Sequence, residues 1–294
     1  MESNSIKVLV TGSNGQLGSE IKVVSDQFPM FDLIYTDIKE LDITNFNEIN
    51  LFLNKFKPNF LINCAAYTAV DKAEKEIEIS TMINSVAPGL IAKACKENGC
   101  KLIHVSTDYV FDGESKTPYV EESLVNPTSQ YGLSKLKGEE AVLREGGAMI
   151  IRTSWLYSSF GVNFVKTILN NAKIKPELKV VSDQIGCPTY ARDLAMVILS
   201  IISKGEEHFI PEIFHYSNNG TCSWYNFASE IVEFAGLNCI VTPIESKDYP
   251  SIVKRPKYSV FSKEKICNTY KIEIPHWKTS LGNCIEILKL DGLI

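Results

Sequence analysis

The chain has 294 residues, of which 45% are hydrophobic and 22% are charged, and its formal net charge is −5. This composition is typical of a folded globular protein and excludes a fibrous or disordered one. The negative charge argues against nucleic acid as a partner, because gripping a phosphate backbone requires a basic face. No apolar run approaches the roughly 18 residues that span a bilayer, and residues 1–5 are polar rather than signal-like, so we expect a cytoplasmic protein without a membrane partner.

The first half of the chain alternates short strand-like runs with longer helical patterns. Strands are predicted at residues 6–10, 33–37, 60–64, 101–106 and 148–152. Helices are predicted at 44–56 with Thr44 as N-cap, at 79–98 with an apolar stripe from Met82 to Cys95, and at 129–144. This alternation predicts right-handed βαβ units and a parallel sheet.

Beyond residue 153 the alternation loosens. We predict helices at 160–172, 192–203, 224–234 and 279–290, and a strand at 213–216. Pro243, Pro250 and Pro256 indicate an irregular connection of the kind that often carries binding groups. The predicted fold class is α/β, a Rossmann-type doubly wound parallel sheet with a smaller α/β C-terminal substrate lobe. Residues 1–152, completed by about 179–217, form the dinucleotide-binding domain, and 153–178 with 218–294 form the interleaved lobe.

A glycine-rich loop follows the first strand and predicts binding of a dinucleotide. Glycines let the backbone turn sharply and approach a pyrophosphate at a helix N-terminus. Asp37 ends the second strand, where an acidic residue accepts hydrogen bonds from the adenosine ribose. The candidate residues of this loop are Gly12, Asn14, Gly15, Gln16, Leu17 and Gly18.

Other residues complete the predicted cofactor site for NADPH or NADH. The charge of Asp37 repels a 2′-phosphate and favours NADH, while Lys39 counteracts that preference. Asp42 and Ile43 follow the second strand and are candidates for the adenine. After the third strand, small residues let the cofactor pass close to the backbone, although packing of a helix explains Ala65 and Ala66 equally well. This last set is Ala65, Ala66 and Tyr67.

Tyr131 and Lys135 are four residues apart in a predicted helix, so both side chains lie on one face and the cation favours the ionised phenol. Ser106, Thr107 and Asp108 end the fourth strand at the carboxyl edge of the sheet, where ligands bind in open α/β folds. Together they supply an orienting donor, a proton source and a cation for hydride transfer to a ketone. For one of Ser106 and Thr107, hydrogen bonding at the strand end is the better explanation.

Nearly the whole chain resembles a known family. The glycine loop, residues 63–66 and 106–113, and the Tyr131-x-x-x-Lys135 pair resemble extended short-chain dehydrogenases/reductases. Residues 68–74, 152–157, 163–164, 183–189 and 255–256 resemble, more narrowly, the dTDP-4-dehydrorhamnose reductases. The resemblance implies reduction of the C4 ketone of dTDP-4-dehydro-β-L-rhamnose to dTDP-L-rhamnose, a step in polysaccharide biosynthesis.

The resemblance also implies roles for particular residues. Thr107 orients the ketone, Tyr131 protonates the alkoxide, and Lys135 binds the nicotinamide ribose and lowers the tyrosine pKa. Asp108 and Trp155 contact the dTDP-sugar, although Trp155 is also explained as a core residue. Arg255 is a candidate for the diphosphate, because its fork of donors suits phosphate oxygens, or else it forms a surface salt bridge.

Eight cysteines and four histidines are scattered singly, which favours buried thiols over a zinc site. Some members of the family dimerise around magnesium held by two glutamates. Glu20 matches the first position, but Arg192 stands at the second, and a guanidinium cannot ligate a metal. We therefore expect no metal site, no magnesium-bridged dimer and a monomer.

Two other functions stay open on sequence alone. One is a non-catalytic regulatory homologue that resembles the β subunit of methionine adenosyltransferase, and the other is a related nucleotide-sugar reductase, epimerase or dehydratase. The Thr153-Ser154-Trp155 segment and Asp183-Gln184 favour the reductase, since they match the sugar side of that family. Asp108 leaves the dehydratase open, because a dehydratase carries an acidic residue beside its orienting hydroxyl.

Overall fold

A computed structural model describes residues 5–294, and residues 1–4 of the predicted polar start lie outside that range. A six-stranded parallel sheet in the order β10-β5-β4-β3-β1-β2 organises the fold. The main-sheet strands are β1 (Ile6–Thr11), β2 (Phe31–Thr36), β3 (Phe60–Asn63), β4 (Lys101–Thr107), β5 (Ala148–Thr153) and β10 (Ile213–His215). Within the described range, no helix is long and apolar enough to cross a membrane.

Helices cover both faces of this sheet, as the α/β prediction requires, and successive residues of β1 show why. Val8 and Val10 face one apolar cluster, while Leu9 faces another, which is the two-residue alternation of a strand buried on both sides. The helices in order are α1 (Gln16–Val24), α2 (Phe46–Phe56), α3 (Val70–Ala73), α4 (Ile77–Thr81), α5 (Ala87–Glu97), α6 (Gln130–Glu145), α7 (Phe164–Ala172), α8 (Ala191–Ser203), α9 (Trp224–Ala235), α10 (Glu264–Tyr270) and α11 (Trp277–Leu290).

A third apolar cluster lies among α7, α9 and α11 and forms the smaller lobe. Each sheet of this lobe consists of two short strands. The strands β7 (Glu177–Val181) and β12 (Ile240–Ile244) form one such pair and run parallel. Pro243 lies inside β12 and not in the irregular connection that we predicted, because a two-stranded sheet has a free edge that needs no donor there. The remaining strands are β6 (Leu156–Tyr157), β8 (Ile185–Gly186), β9 (Thr189–Tyr190) and β11 (Cys222–Ser223).

Helix starts differ from the prediction where a stronger cap lies nearby. Asn45, not Thr44, caps α2, since its side chain accepts from the N–H groups of Asn47 and Glu48, whereas the Thr44 hydroxyl donates to Asp42. The predicted helix at 160–172 begins only at Phe164, after the cap Asn163. Both starts are capped by an asparagine oxygen.

The predicted helix at 79–98 contains a π turn at Met82–Val86 between α4 and α5. The predicted apolar stripe was wrong at its start, since Met82 and Val86 are 45% and 40% exposed while Asn84 is 1% exposed, although its later residues Ile91 and Cys95 are buried. The extra residue in a π turn rotates the side chains that follow it. As a result Asn84 points inward, where its side chain accepts from the Tyr67 N–H at 2.8 Å and donates to the Tyr67 carbonyl at 2.9 Å.

The contacts of β7 and α10 indicate to which half of the protein each of these two elements belongs. The predicted boundary between residues 178 and 179 falls inside β7, which pairs with β12 of the lobe. Ile266 and Tyr270 of α10 belong to the apolar cluster of the main sheet. We propose that residues 177–181 complete the lobe and that residues 264–270 complete the dinucleotide-binding half.

Candidate active site

The loop after β1 is shaped by a glycine that cannot carry a side chain. Gly12 has φ +64°, and a Cβ there would lie 2.7 Å from the backbone N and Cα of Ala65. The loop therefore turns in a left-handed conformation and packs directly on the segment that follows β3. The Gly15 N–H donates to the Gly12 carbonyl at 3.1 Å and closes the turn.

The N-terminus of α1 is open to an anion. Gly15 is its N-cap and makes no side-chain capping hydrogen bond. The N–H groups of the first helical turn, which includes Gln16 and Leu17, are not capped by a side chain and carry the positive end of the helix dipole. This arrangement fits the pyrophosphate of a dinucleotide.

Asp37 ties this loop to the end of β2. Its Oδ2 accepts from the Asn14 N–H at 3.1 Å, and its Oδ1 accepts from the Ile38 N–H at 2.8 Å. The carboxylate lies at the loop, where the ribose of a bound dinucleotide would meet it. By contrast, Asp42 is engaged in a local turn, since its Oδ1 accepts from both the N–H and the hydroxyl of Thr44.

The structure brings the predicted reacting groups together at the carboxyl end of β4. Thr107, Tyr131 and Lys135 are 6%, 8% and 2% exposed. The helix that carries Tyr131 and Lys135 is capped by Ser129, whose hydroxyl accepts from the Gly132 N–H at 3.1 Å. The Thr107 hydroxyl donates to Asp108 Oδ1 at 3.0 Å. The set is thus buried and held by local hydrogen bonds.

Burial dominates the protonation of the Tyr131–Lys135 pair. It raises the pKa of Tyr131 to about 12, although a hydrogen bond with Thr107 opposes the rise. It lowers the pKa of Lys135 to about 8, while Glu139 and Cys64 oppose the fall. Lys135 Nζ donates to the Val105 carbonyl at 2.7 Å, and the lowering of the tyrosine pKa by Lys135 stays a prediction. Tyr131 is consequently a neutral phenol at physiological pH.

Asp108 is a buried carboxyl at the same strand end. Burial raises its pKa to about 6, and the hydroxyls of Ser259 and Thr107 oppose the rise. Its Oδ2 is buried and makes no hydrogen bond to any residue within 5–294. A buried carboxylate oxygen without a partner is costly, so this oxygen is suited to a ligand hydroxyl.

Trp155 stacks on a second tryptophan that sequence reasoning missed. The rings of Trp155 and Trp224 are 3.5 Å apart and 9° from parallel. Trp155 also has φ +48°, which is unusual for a residue with a side chain. The stacked pair lies in the lobe, and Trp224 lines a large cavity.

That cavity has a volume of about 980 Å³ and lies between α7, β7 and the segment at 246–257. Trp224 and Gln184 line it. It is rich in cations for a protein of net charge −5, which favours an anionic ligand. The cations that line it are Lys175, Lys179, Lys247, Lys254, Arg255 and Lys257.

Tyr109 packs beside the reacting groups and lies near Arg255, one of the residues that line the cavity. Its ring packs edge-on against Tyr131, with centroids 5.4 Å apart. Burial raises the pKa of Tyr109, and the nearby guanidinium of Arg255 opposes the rise. Arg255 itself bonds Asp71 at 3.0 Å and is 31% exposed, so it forms the salt bridge while still facing the cavity.

A parallel sheet with a glycine turn after β1 and a buried tyrosine and lysine beside β4 defines a dinucleotide-dependent reductase of the extended short-chain class. The chain belongs to the family described as RmlD substrate binding domain, whose model matches residues 6–290. The spore coat polysaccharide biosynthesis protein SpsK of Bacillus subtilis is 39% identical over 281 residues, covering 95% of this chain and 97% of that protein.

Two solved structures are similar over nearly the full length. A dTDP-4-dehydrorhamnose reductase from Clostridium acetobutylicum has a TM-score of 0.91 at 43% identity, covering 97% of this chain and 100% of that one. The dTDP-4-dehydrorhamnose reductase of Bacillus anthracis in complex with NADP has a TM-score of 0.91 at 36% identity, covering 96% and 99%. The predicted family is therefore confirmed.

Proposed function

We propose that this protein reduces the C4 ketone of dTDP-4-dehydro-β-L-rhamnose to dTDP-L-rhamnose with NADPH or NADH, the last step of dTDP-rhamnose biosynthesis. The observation that carries the proposal is the buried Thr107–Tyr131–Lys135 set at the carboxyl end of β4. Proteins named dTDP-4-dehydrorhamnose reductase match nearly the whole chain, one of them at 43% identity.

Each reacting group has one task in this proposal. When bound, NAD(P)H supplies the hydride, which no protein side chain can provide. Thr107 turns its one hydroxyl proton from Asp108 Oδ1 to the ketone oxygen and orients it, and Tyr131, a neutral phenol, gives its proton to the alkoxide that forms. The Lys135 ammonium stabilises the phenolate left on Tyr131, which then regains a proton from water.

The cavity is the proposed site of the nucleotide-sugar. Its lysines and Arg255 suit a diphosphate, whose oxygens accept charge-assisted hydrogen bonds. The Trp155–Trp224 stack offers an apolar surface to a deoxysugar or thymine ring. The free Oδ2 of Asp108 would accept from a sugar hydroxyl near the reacting ketone.

The direct test mixes the protein with dTDP-4-dehydrorhamnose and either NADPH or NADH and follows the absorbance of the reduced nicotinamide. We expect oxidation of the cofactor that depends on the sugar. A protein that binds the cofactor but oxidises neither form would contradict the reductase and favour a non-catalytic homologue.

Asp37→Asn should shift the cofactor preference towards NADPH. The amide oxygen still accepts from the Asn14 N–H, which the carboxylate holds at 3.1 Å, but the charge that repels a 2′-phosphate is lost. We expect the ratio of kcat/KM for NADPH to that for NADH to rise about tenfold, which corresponds to roughly 1.4 kcal/mol. Asp32→Asn, at an exposed position of β2, is the matched control, and an equal shift there would contradict the role of Asp37.

We propose that the protein is a monomer without a magnesium-bridged interface. Glu20, the candidate ligand, is 0% exposed and accepts from the Ser158 hydroxyl at 2.6 Å and from Arg192 Nε at 2.8 Å. Its oxygens are thus engaged by protein donors. Sedimentation with magnesium and with EDTA should give the same monomer mass, and a dimer that dissociates in EDTA would overturn this proposal.

A further inference from the structure

A buried chain of polar side chains lies behind Lys135 and takes no part in the roles assigned so far. Thr11, Asn63 and His104 are 1%, 1% and 0% exposed. They are neighbours on three adjacent strands, since Thr11 is in register with Asn63 and Asn63 with His104. The ring of His104 ends at Lys135, where Nε2 lies 3.5 Å from Nζ.

The hydrogen bonds of Asn63 fix which way its amide points. Its Oδ1 accepts from the Thr11 hydroxyl at 2.8 Å and from the Ala65 N–H at 3.2 Å. The Ala65 N–H can only donate, so this atom must be the oxygen. The amide nitrogen of Asn63 therefore faces His104 Nδ1, at 3.0 Å.

That contact in turn fixes the tautomer of His104. An amide nitrogen only donates, so Nδ1 of His104 must carry the lone pair. The ring proton of a neutral imidazole then lies on Nε2, the atom that faces Lys135. Burial and the nearby charge of Lys135 both lower the pKa of His104 well below its usual range, which keeps the ring neutral.

Lys135 consequently meets a donor, not an acceptor, at the imidazole. We infer that His104 is a positioning residue whose neutral Nε2–H tautomer, imposed by Asn63, denies Lys135 a second acceptor on β4 and leaves its remaining ammonium donors for the cofactor. One donor goes to the Val105 carbonyl, at 2.7 Å. The inference rests on the proposed reduction, for which the charged form of Lys135 is required.

The other groups around Lys135 are compatible with this role. Glu139, one turn along α6, raises the lysine pKa, as does Cys64 after β3. Glu139 is itself engaged by Arg152, whose NH2 lies 2.7 Å from its Oε2. His104 on β4 and Tyr131 on α6 are the remaining titratable neighbours, and neither supplies a negative charge at neutral pH.

The test uses variants that move the ring proton of His104 from Nε2 to Nδ1 or replace the ring. It measures the alkaline limb of the kcat–pH profile, where kcat falls as the pH rises. Asn63→Asp keeps an oxygen for Ala65 but places a second oxygen at Nδ1, so that the ring proton moves to Nδ1 and Nε2 becomes an acceptor for Lys135. His104→Gln places an amide oxygen near the Nε2 position. Both should stabilise the ammonium and move the alkaline limb upward by about one pH unit, since activity is lost as the pH rises through the lysine pKa.

His215→Gln is the matched control. His215 is also 0% exposed, but its Nδ1 lies 3.1 Å from the Tyr119 carbonyl, and it does not contact Lys135. We expect the same loss of a buried imidazole to leave the alkaline limb unmoved. If neither Asn63→Asp nor His104→Gln moves the limb while the wild type turns over, the inference is wrong.

A spectroscopic measurement needs neither turnover nor a stable active-site variant. In protein with ¹⁵N-labelled histidine, the ring shifts of His104 should report a proton on Nε2 and a lone pair on Nδ1. Single variants of the other three histidines identify their signals, and the signal that remains belongs to His104. A proton on Nδ1 would overturn the inference, whereas a wild type that reduces no substrate would overturn only the proposed function.

Discussion

Tyr131→Phe is expected to lower kcat by about 10²–10⁴-fold, the range that general acid catalysis supplies. The phenol is 8% exposed and stands beside Thr107, so water is not positioned to replace its proton. Affinity for the cofactor should change little, since the loop at Gly12 and the helix start at Gln16 are untouched. Initial rates at saturating cofactor and substrate, with melting temperature as a check on folding, measure the effect.

Tyr216→Phe is the matched control for that change. Tyr216 is 0% exposed, and its hydroxyl has no hydrogen-bond partner within residues 5–294. Removing the oxygen there should leave kcat unchanged, because that hydroxyl is remote from the reacting groups. A Tyr131→Phe enzyme that works at nearly the normal rate would show that another group delivers the proton.

Gly138→Ala is expected to destabilise the fold by about 1–3 kcal/mol, the usual cost of overpacking. A Cβ at residue 138 would overlap the carbonyl oxygen of Asn84 and lie 3.2 Å from its carbonyl carbon. Both atoms belong to the backbone of the π turn, which cannot swing aside like a side chain. The helix carrying Tyr131 and Lys135 would have to move outward, so kcat should fall as well.

Gly282→Ala is the same substitution at another position, and it is expected to have the opposite effect on stability. Gly282 lies inside α11, and a Cβ there would meet only the ring of Phe234, at 3.9 Å. Alanine is the better helix former by about 1 kcal/mol, so this variant should be slightly more stable. Urea unfolding followed by circular dichroism measures both, and a stabilised Gly138→Ala would show that the helix and the π turn are not in close contact.

The sequence was sufficient to predict an element wherever the residues that determine it lie close together along the chain. The strands of the first half, the glycine loop and the extent of α6 are each set by residues within a few positions of one another, and all were predicted within a few residues. The π turn was not, because Met82 and Val86 fit an α-helical stripe as well as any apolar residues do. Only the packing of α6 against Asn84 distinguishes the two forms.

The parts of the site that were missed depend on contacts between distant segments. Trp224 follows Trp155 by dozens of residues, and Arg255 bonds Asp71 across 184 positions. His104 looked like an isolated residue of an apolar strand, since nothing nearby in sequence shows that Asn63 and Lys135 flank its ring. Such pairings follow from the register of the sheet, which periodicity alone does not specify.

The order of the strands also has a consequence for biosynthesis on the ribosome. The edge of β5 that would otherwise be open pairs with β10 (Ile213–His215). Helix α10 (Glu264–Tyr270) packs against β10. A nascent chain that has completed β5 therefore presents an open strand edge until some 60 further residues have emerged. Open edges invite pairing with other chains, so we expect early-terminated or slowly translated polypeptides of this protein to depend on chaperones.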